Sequence, residues 1–185
     1  MTARVSILAM WVASISVATF ASLASAATLR QLSMDQMTQS ATAIVRARVT
    51  GSSTSLNGST IYTHYRLQVT DILKGTAPAE VSLPGGVAGR LRQSFPGVPQ
   101  LESGTEYVLF LWTSSSTGIT HIIGLSQGLF NITTQADGTA QLARARIGET
   151  MLDSAGHVVQ DRPIQMKLSE LKLRVRQNAP PSPPQ

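Results

Sequence analysis

The chain has no cysteine. That absence excludes disulfides, thiolate metal sites and lipid attachment at an N-terminal cysteine. Charge is also sparse: charged residues are 14% of 185, with a formal net charge of +5. The basic residues stand singly or in short pairs, and no Lys/Arg run carries interleaved aromatics. A nucleic-acid interface is therefore not expected. Histidine is limited to His64, His121 and His157. None lies at the close spacing that sets two ligands on one face of a helix or strand, so no metal is expected. Nothing in the chain marks a cofactor site. After residue 26 no apolar run reaches membrane-spanning length.

The first 26 residues do have such character, in the pattern of an export signal. Arg4 supplies a basic start, Val5–Phe20 is largely apolar, and Ala24-Ser25-Ala26 provides the small-x-small cleavage pattern. The expectation is a cleaved signal peptide over 1–26, a mature N-terminus at Ala27, and a secreted or periplasmic protein. Without Arg4 the net charge becomes +4. Residues 27–178 are expected to form one domain, held by packing alone since no disulfide is available. The proline-rich stretch 179–185 reads as a disordered tail.

Within the domain, Ser33 followed by Met34-Asp35-Gln36-Met37 reads as a capped short helix, anchored by Leu32 and Met37. Ala43, Val45, Ala47 and Val49 alternate with Ile44, Arg46 and Arg48, the pattern of a half-buried strand. A longer strand runs from Ile61 past Val69, and the broken alternation at Ile72-Leu73 predicts a bulge near Asp71. Glu80–Leu83 is a further short strand. Tyr107–Trp112, apolar on both faces, is expected to be the most buried strand. Ile119–Ile123 and Leu129–Thr133 follow, and Asp137-Gly138 turns the chain into Thr139–Ala145. Beyond Asp153 the pattern is irregular until Ser169, expected to cap a C-terminal helix lined by Leu168, Leu171 and Val175. Arg174 and Arg176 suit the negative end of that helix. The whole reads as an all-β fold, a small barrel or sandwich with a helix at each end.

Two stretches invite a chemical reading. Gly124-Leu125-Ser126-Gln127-Gly128 matches the G-x-S-x-G nucleophile elbow, with Asp137 or Asp153 and then His157 in hydrolase order. An elbow requires a helix after the serine, whereas Leu129–Thr133 reads as strand. A tight turn between strands is therefore the expected outcome, with a serine-type or metal-dependent hydrolase as the alternative. The second stretch, Pro84–Pro99, reads as a long glycine-rich loop. Gly85 and Gly86 expose backbone N–H groups, Arg90 and Arg92 add charge, and Phe95 offers an apolar contact. These five are the candidate binding residues, for an anion or a peptide segment. No catalytic residue is assigned.

Three segments in order carry a family resemblance: Thr42-Ala43-Ile44-Val45-Arg46-Ala47-Arg48-Val49, then Tyr65–Val69 running to Leu73-Lys74-Gly75, then Gly104–Leu111. Together they resemble the netrin-like module, the OB-type barrel of the tissue inhibitors of metalloproteinases. The chain is also similar to exported bacterial proteins sharing these strands and a Gly-Leu-Ser-Gln-Gly-Leu-Phe turn. The resemblance spans roughly residues 40–133. It implies an OB-like barrel and a non-enzymatic, inhibitor-like module that recognises a protein or extracellular ligand, a secreted protease being one such partner. Those inhibitors bind the protease zinc through an N-terminal cysteine, and Ala27 stands at the expected N-terminus here.

Overall fold

The computed structural model describes residues 27–178. The expected signal peptide and proline-rich tail lie outside the described residues. The described residues begin with β1 (Thr28–Arg30) and α1 (Met34–Ser40), then a long hairpin of β2 (Ala43–Asn57) and β3 (Thr60–Gly75). Next come β4 (Glu80–Pro84), β5 (Gly86–Ala88), β6 (Leu91–Gln93), β7 (Glu106–Thr113) and β8 (Thr120–Ile122). A 3₁₀ turn (Leu125–Gly128) leads into β9 (Leu129–Thr134) and β10 (Ala140–Arg144). The last elements described are β11 (Thr150–Leu152), β12 (Val158–Val159), β13 (Ile164–Lys167) and α2 (Leu168–Gln177). Among the described residues the fold is mostly β with two α-helices.

Strand order in the main antiparallel sheet is β13-β10-β9-β7-β2-β3-β4, and β8 joins β7 beyond the end of β9. A small sheet, β1-β11-β12, stands apart from it. β7 is central and buried on both faces from Tyr107 to Leu111, as its sequence predicts, whereas Trp112 keeps 46% of its surface. Successive side chains of a strand point to opposite faces, so Tyr107, Leu109 and Leu111 join one core while Val108 and Phe110 join the other. β2 divides likewise, with Ala43, Val45, Ala47 and Val49 on the first core and Ile44 on the second. The helices cover the second core through Met34, Met37, Leu171 and Val175. Each fully buried Leu, Met or Phe contributes roughly 1.5–3 kcal/mol of transfer free energy, so these two faces carry a domain without disulfides.

The first core is enclosed by curvature. Register shifts in the β2/β3 pairing fall between Ile44 and Val45, Arg46 and Ala47, and Val49 and Gly51, leaving Leu73, Thr70 and Thr50 unmatched. Two of these extra residues flank Asp71, where the sequence places a bulge. Bulges bend and twist a sheet, and here the bend carries β4 beside β8. No backbone ladder joins those two strands, so the sheet is not a closed barrel among the described residues. A side chain spans the junction: His121 Nδ1 lies 2.9 Å from the Ser82 carbonyl oxygen.

The helices show one match and one correction. Ser33 caps α1 in a reciprocal capping box: Gln36 N donates to Ser33 Oγ (3.1 Å) and Ser33 N donates to Gln36 Oε1 (2.8 Å). The cap of α2, however, is Lys167 rather than Ser169. The stretch read as irregular holds β13, which runs directly into the helix, so Leu168 is its first residue and Ser169 already lies within it. Four residues of alternation are too few to stand out as a strand, although Met166 points inward as a strand residue should.

Candidate functional site

The stretch Pro84–Pro99 is not the irregular loop that its glycines and prolines predict. β5 and β6 pair as Gly86↔Gln93, Val87↔Arg92 and Ala88↔Leu91, turning through Gly89-Arg90. Three-residue strands fall below what alternation can reveal. Side chains fix this hairpin to the β2–β3 tip. Ile61 N donates to Gln93 Oε1 (2.6 Å), and Gln93 Nε2 donates to Ser59 O (2.6 Å). Thr54 Oγ1 donates to Val87 O, and Thr63 Oγ1 to Gly85 O, both at 2.7 Å.

Between hairpin and sheet lies a cavity of about 360 Å³. Tyr65, Leu83 and Val98 supply its apolar inner wall, Val87 and Phe95 its outer rim, and Arg92 its charge. Gly85 and Gly86 line the same space. Four of the five candidate residues therefore share one cavity, and Arg90 lies outside its lining, at the hairpin turn. The glycines serve another purpose than open N–H groups. Gly85 N is already taken by Ile61 O at 2.7 Å. Gly86 has φ +130°, and a Cβ there would lie 2.5 Å from Thr63 Oγ1. What they permit is close approach of the hairpin backbone to the sheet.

The rim is apolar and exposed: Phe95 keeps 40% of its surface and Val87 44%. Neither Arg90 nor Arg92 forms an ion pair among the described residues, whereas Arg46, Arg144 and Arg174 do. An apolar recess bearing an uncompensated guanidinium can seat an apolar group that adjoins an anion.

The elbow motif is a structural turn. Gly124 adopts a left-handed conformation, the 3₁₀ turn follows, and β9 continues the chain as a strand. His157 Nδ1 lies 3.3 Å from Asp153 Oδ2, and no hydrogen bond joins it to Ser126 among the described residues. Gln127, which sequence reading passed over, is the functional centre of the motif in packing terms. Almost fully buried, it receives Leu32 N at 2.8 Å and donates to Arg30 O at 2.9 Å, fastening the chain after β1. A Cβ on Gly124 would meet the Gln127 amide at 2.9 Å, and one on Gly128 the Ile123 carbonyl at 2.7 Å.

His121 is hydrogen-bonded and stacks on Trp112 with ring centroids 6.5 Å apart. Also missed were the Arg144–Asp161 pair, buried at 2.6 Å, and the contacts of His64 with Ser55 and Ser82. Each joins residues at least nine positions apart, a distance at which periodicity carries no signal. No helix among the described residues is long and apolar enough to cross a membrane. No family model matches the chain, and no curated protein matches it significantly.

Proposed function

We propose that this is an exported, non-enzymatic binding module that recognises a protein or extracellular ligand through the cavity beneath the β5–β6 hairpin. The observation that carries this reading is the pairing of an exposed apolar rim with Arg92, a cation without an acidic partner among the described residues. Exposed apolar patches on small domains mark interaction sites more often than single exposed residues do. The ligand would insert an apolar side chain between Phe95 and Val87 and place a carboxylate against Arg92. An OB-like, netrin-like barrel is part of the proposal. Its support is the set of five strands, β8-β7-β2-β3-β4, with β4 returning to β8 across the His121–Ser82 contact. A secreted protease is one partner the resemblance implies. Zinc chelation by an N-terminal cysteine is not available to this chain, so any inhibition would act through the hairpin.

The test is selection of a displayed random-peptide library on the wild type and on the triple variant Arg90→Ala, Arg92→Ala, Phe95→Ala. All three side chains are exposed, so the variant is expected to fold. The wild type should enrich peptides with an apolar residue beside Asp or Glu, and salt should weaken their capture. The triple variant should enrich none of them. Equal enrichment by a folded variant would remove the hairpin from consideration.

A further inference from the structure

Away from the cavity, the opposite face of β3 carries a serine–histidine–carboxylate arrangement that no motif announces. Ser55 on β2 pairs with Tyr62, while His64 on β3 pairs with Ser53 on one side and Ser82 of β4 on the other. Outward side chains two positions apart on neighbouring strands lie diagonally within reach. Ser55 Oγ accordingly sits 2.7 Å from His64 Nε2. On the other side of the ring, Nδ1 meets Ser82 Oγ at 2.8 Å and Glu80 Oε1 at 3.5 Å. Both ring nitrogens are thus engaged, and the imidazole is only 24% exposed.

The partners differ in what they can do. An ionised carboxylate only accepts hydrogen bonds, whereas a serine hydroxyl donates or accepts. Glu80, 3.5 Å from Nδ1, favours by its negative charge the tautomer with the proton on Nδ1, and the hydrogen bond that proton makes is to Ser82 Oγ at 2.8 Å. That leaves the Nε2 lone pair directed at Ser55, which must then donate. This is the polarity by which a third group orients a histidine to act as general base toward a serine. Ser55 itself is exposed, and so is Ser53 beside it, so an electrophile can approach from solvent.

We propose that Ser55 is a base-activated nucleophile toward small activated esters. Its Oγ attacks the carbonyl carbon while its proton passes to His64 Nε2. The ester C–O bond then breaks, and the departing alkoxide takes that proton to leave as an alcohol. The product is an acyl-serine at position 55. The inference is independent of the hairpin cavity, whose residues take no part in it.

A fluorophosphonate probe tests it, since attack by Ser55 Oγ on phosphorus expels fluoride and leaves a stable adduct. Wild-type protein should be labelled at Ser55, located by peptide mass spectrometry. Ser55→Ala should abolish labelling, and Ser53→Ala, on the same face, should retain it. His64→Gln, close in size, should slow labelling about 100-fold, the usual contribution of a general base. Circular dichroism on each variant separates loss of reactivity from loss of fold. Absence of labelling in the wild type, an adduct on another residue, or full labelling of a folded His64→Gln variant would overturn the proposal.

Discussion

Glu106 shows how one side chain couples this sheet to pH. Its Oε2 accepts from Arg46 Nη2 at 2.7 Å, and its Oε1 from Thr70 Oγ1 at 2.8 Å. The Arg46 hydrogen bond chiefly holds its carboxyl below the usual range; burial opposes this, and Thr70 adds to the lowering. A carboxyl depressed in the folded state stabilises at pH values above its unfolded pKa and loses that contribution as pH falls through the folded value. Glu106→Gln should therefore cost about 1–2 kcal/mol at pH 7, the scale of a charge-assisted hydrogen bond. The gap from wild type should begin to narrow as pH falls to about 4.3, the ordinary glutamate value, and close only below the lower folded value. Urea denaturation of both proteins across pH 3–7 checks it, and a gap constant over that range would dismiss the ion pair as its source.

At the level of the element, the β5–β6 hairpin depends on a backbone that only glycine adopts easily. Gly86 combines positive φ with contact against Thr63 and Thr54, so an alanine there faces strain and collision together. Positive-φ strain alone costs about 1–3 kcal/mol. Gly86→Ala should lower the denaturation midpoint accordingly and release the hairpin, which limited proteolysis would detect as new cleavage between 84 and 99. Gly89→Ala is a useful comparison: it shares positive φ but has open space around its Cβ. It should cost less, and equal losses at both positions would mean that the approach to Thr63 is unimportant.

Across the whole molecule, Asp161 fastens segments that the main sheet does not. Its Oδ1 receives Arg144 Nη2 at 2.6 Å, and its Oδ2 receives Ile147 N at 2.8 Å. The side chains retain only 6% and 2% exposure for Arg144 and Asp161. Removing one partner strands the other charge in a poorly solvated place, which costs about 3–5 kcal/mol. Asp161→Ala should show that loss in chemical denaturation, whereas replacing both residues by apolar ones of similar volume should recover most of it. A double replacement as unstable as Asp161→Ala would show that the carboxylate's bond to Ile147 N, not the stranded charge, dominates.

The sequence by itself determined the elements whose signal is local. Alternation marked β2 and β3 and assigned their faces, a run apolar on both faces marked β7, and Ser33 with Asp35 marked the start of α1. The turn at Asp137-Gly138 was legible because Thr139 N bonds to Asp137 Oδ1 only two residues away. Of the cavity, sequence supplied the residues but not the shape: Gly85, Gly86, Arg92 and Phe95 were visible as unusual composition, while the hairpin that assembles them was not. That hairpin is set by Gln93 reaching Ile61 and Ser59, more than thirty residues earlier. The same holds for Gln127 with Arg30, Arg144 with Asp161, and Ser55 with His64. Hydrophobic periodicity records which way a side chain faces, because burial alternates with the backbone repeat. It does not record which polar group waits on the neighbouring strand, because that depends on register and curvature, and these exist only once the sheet has formed.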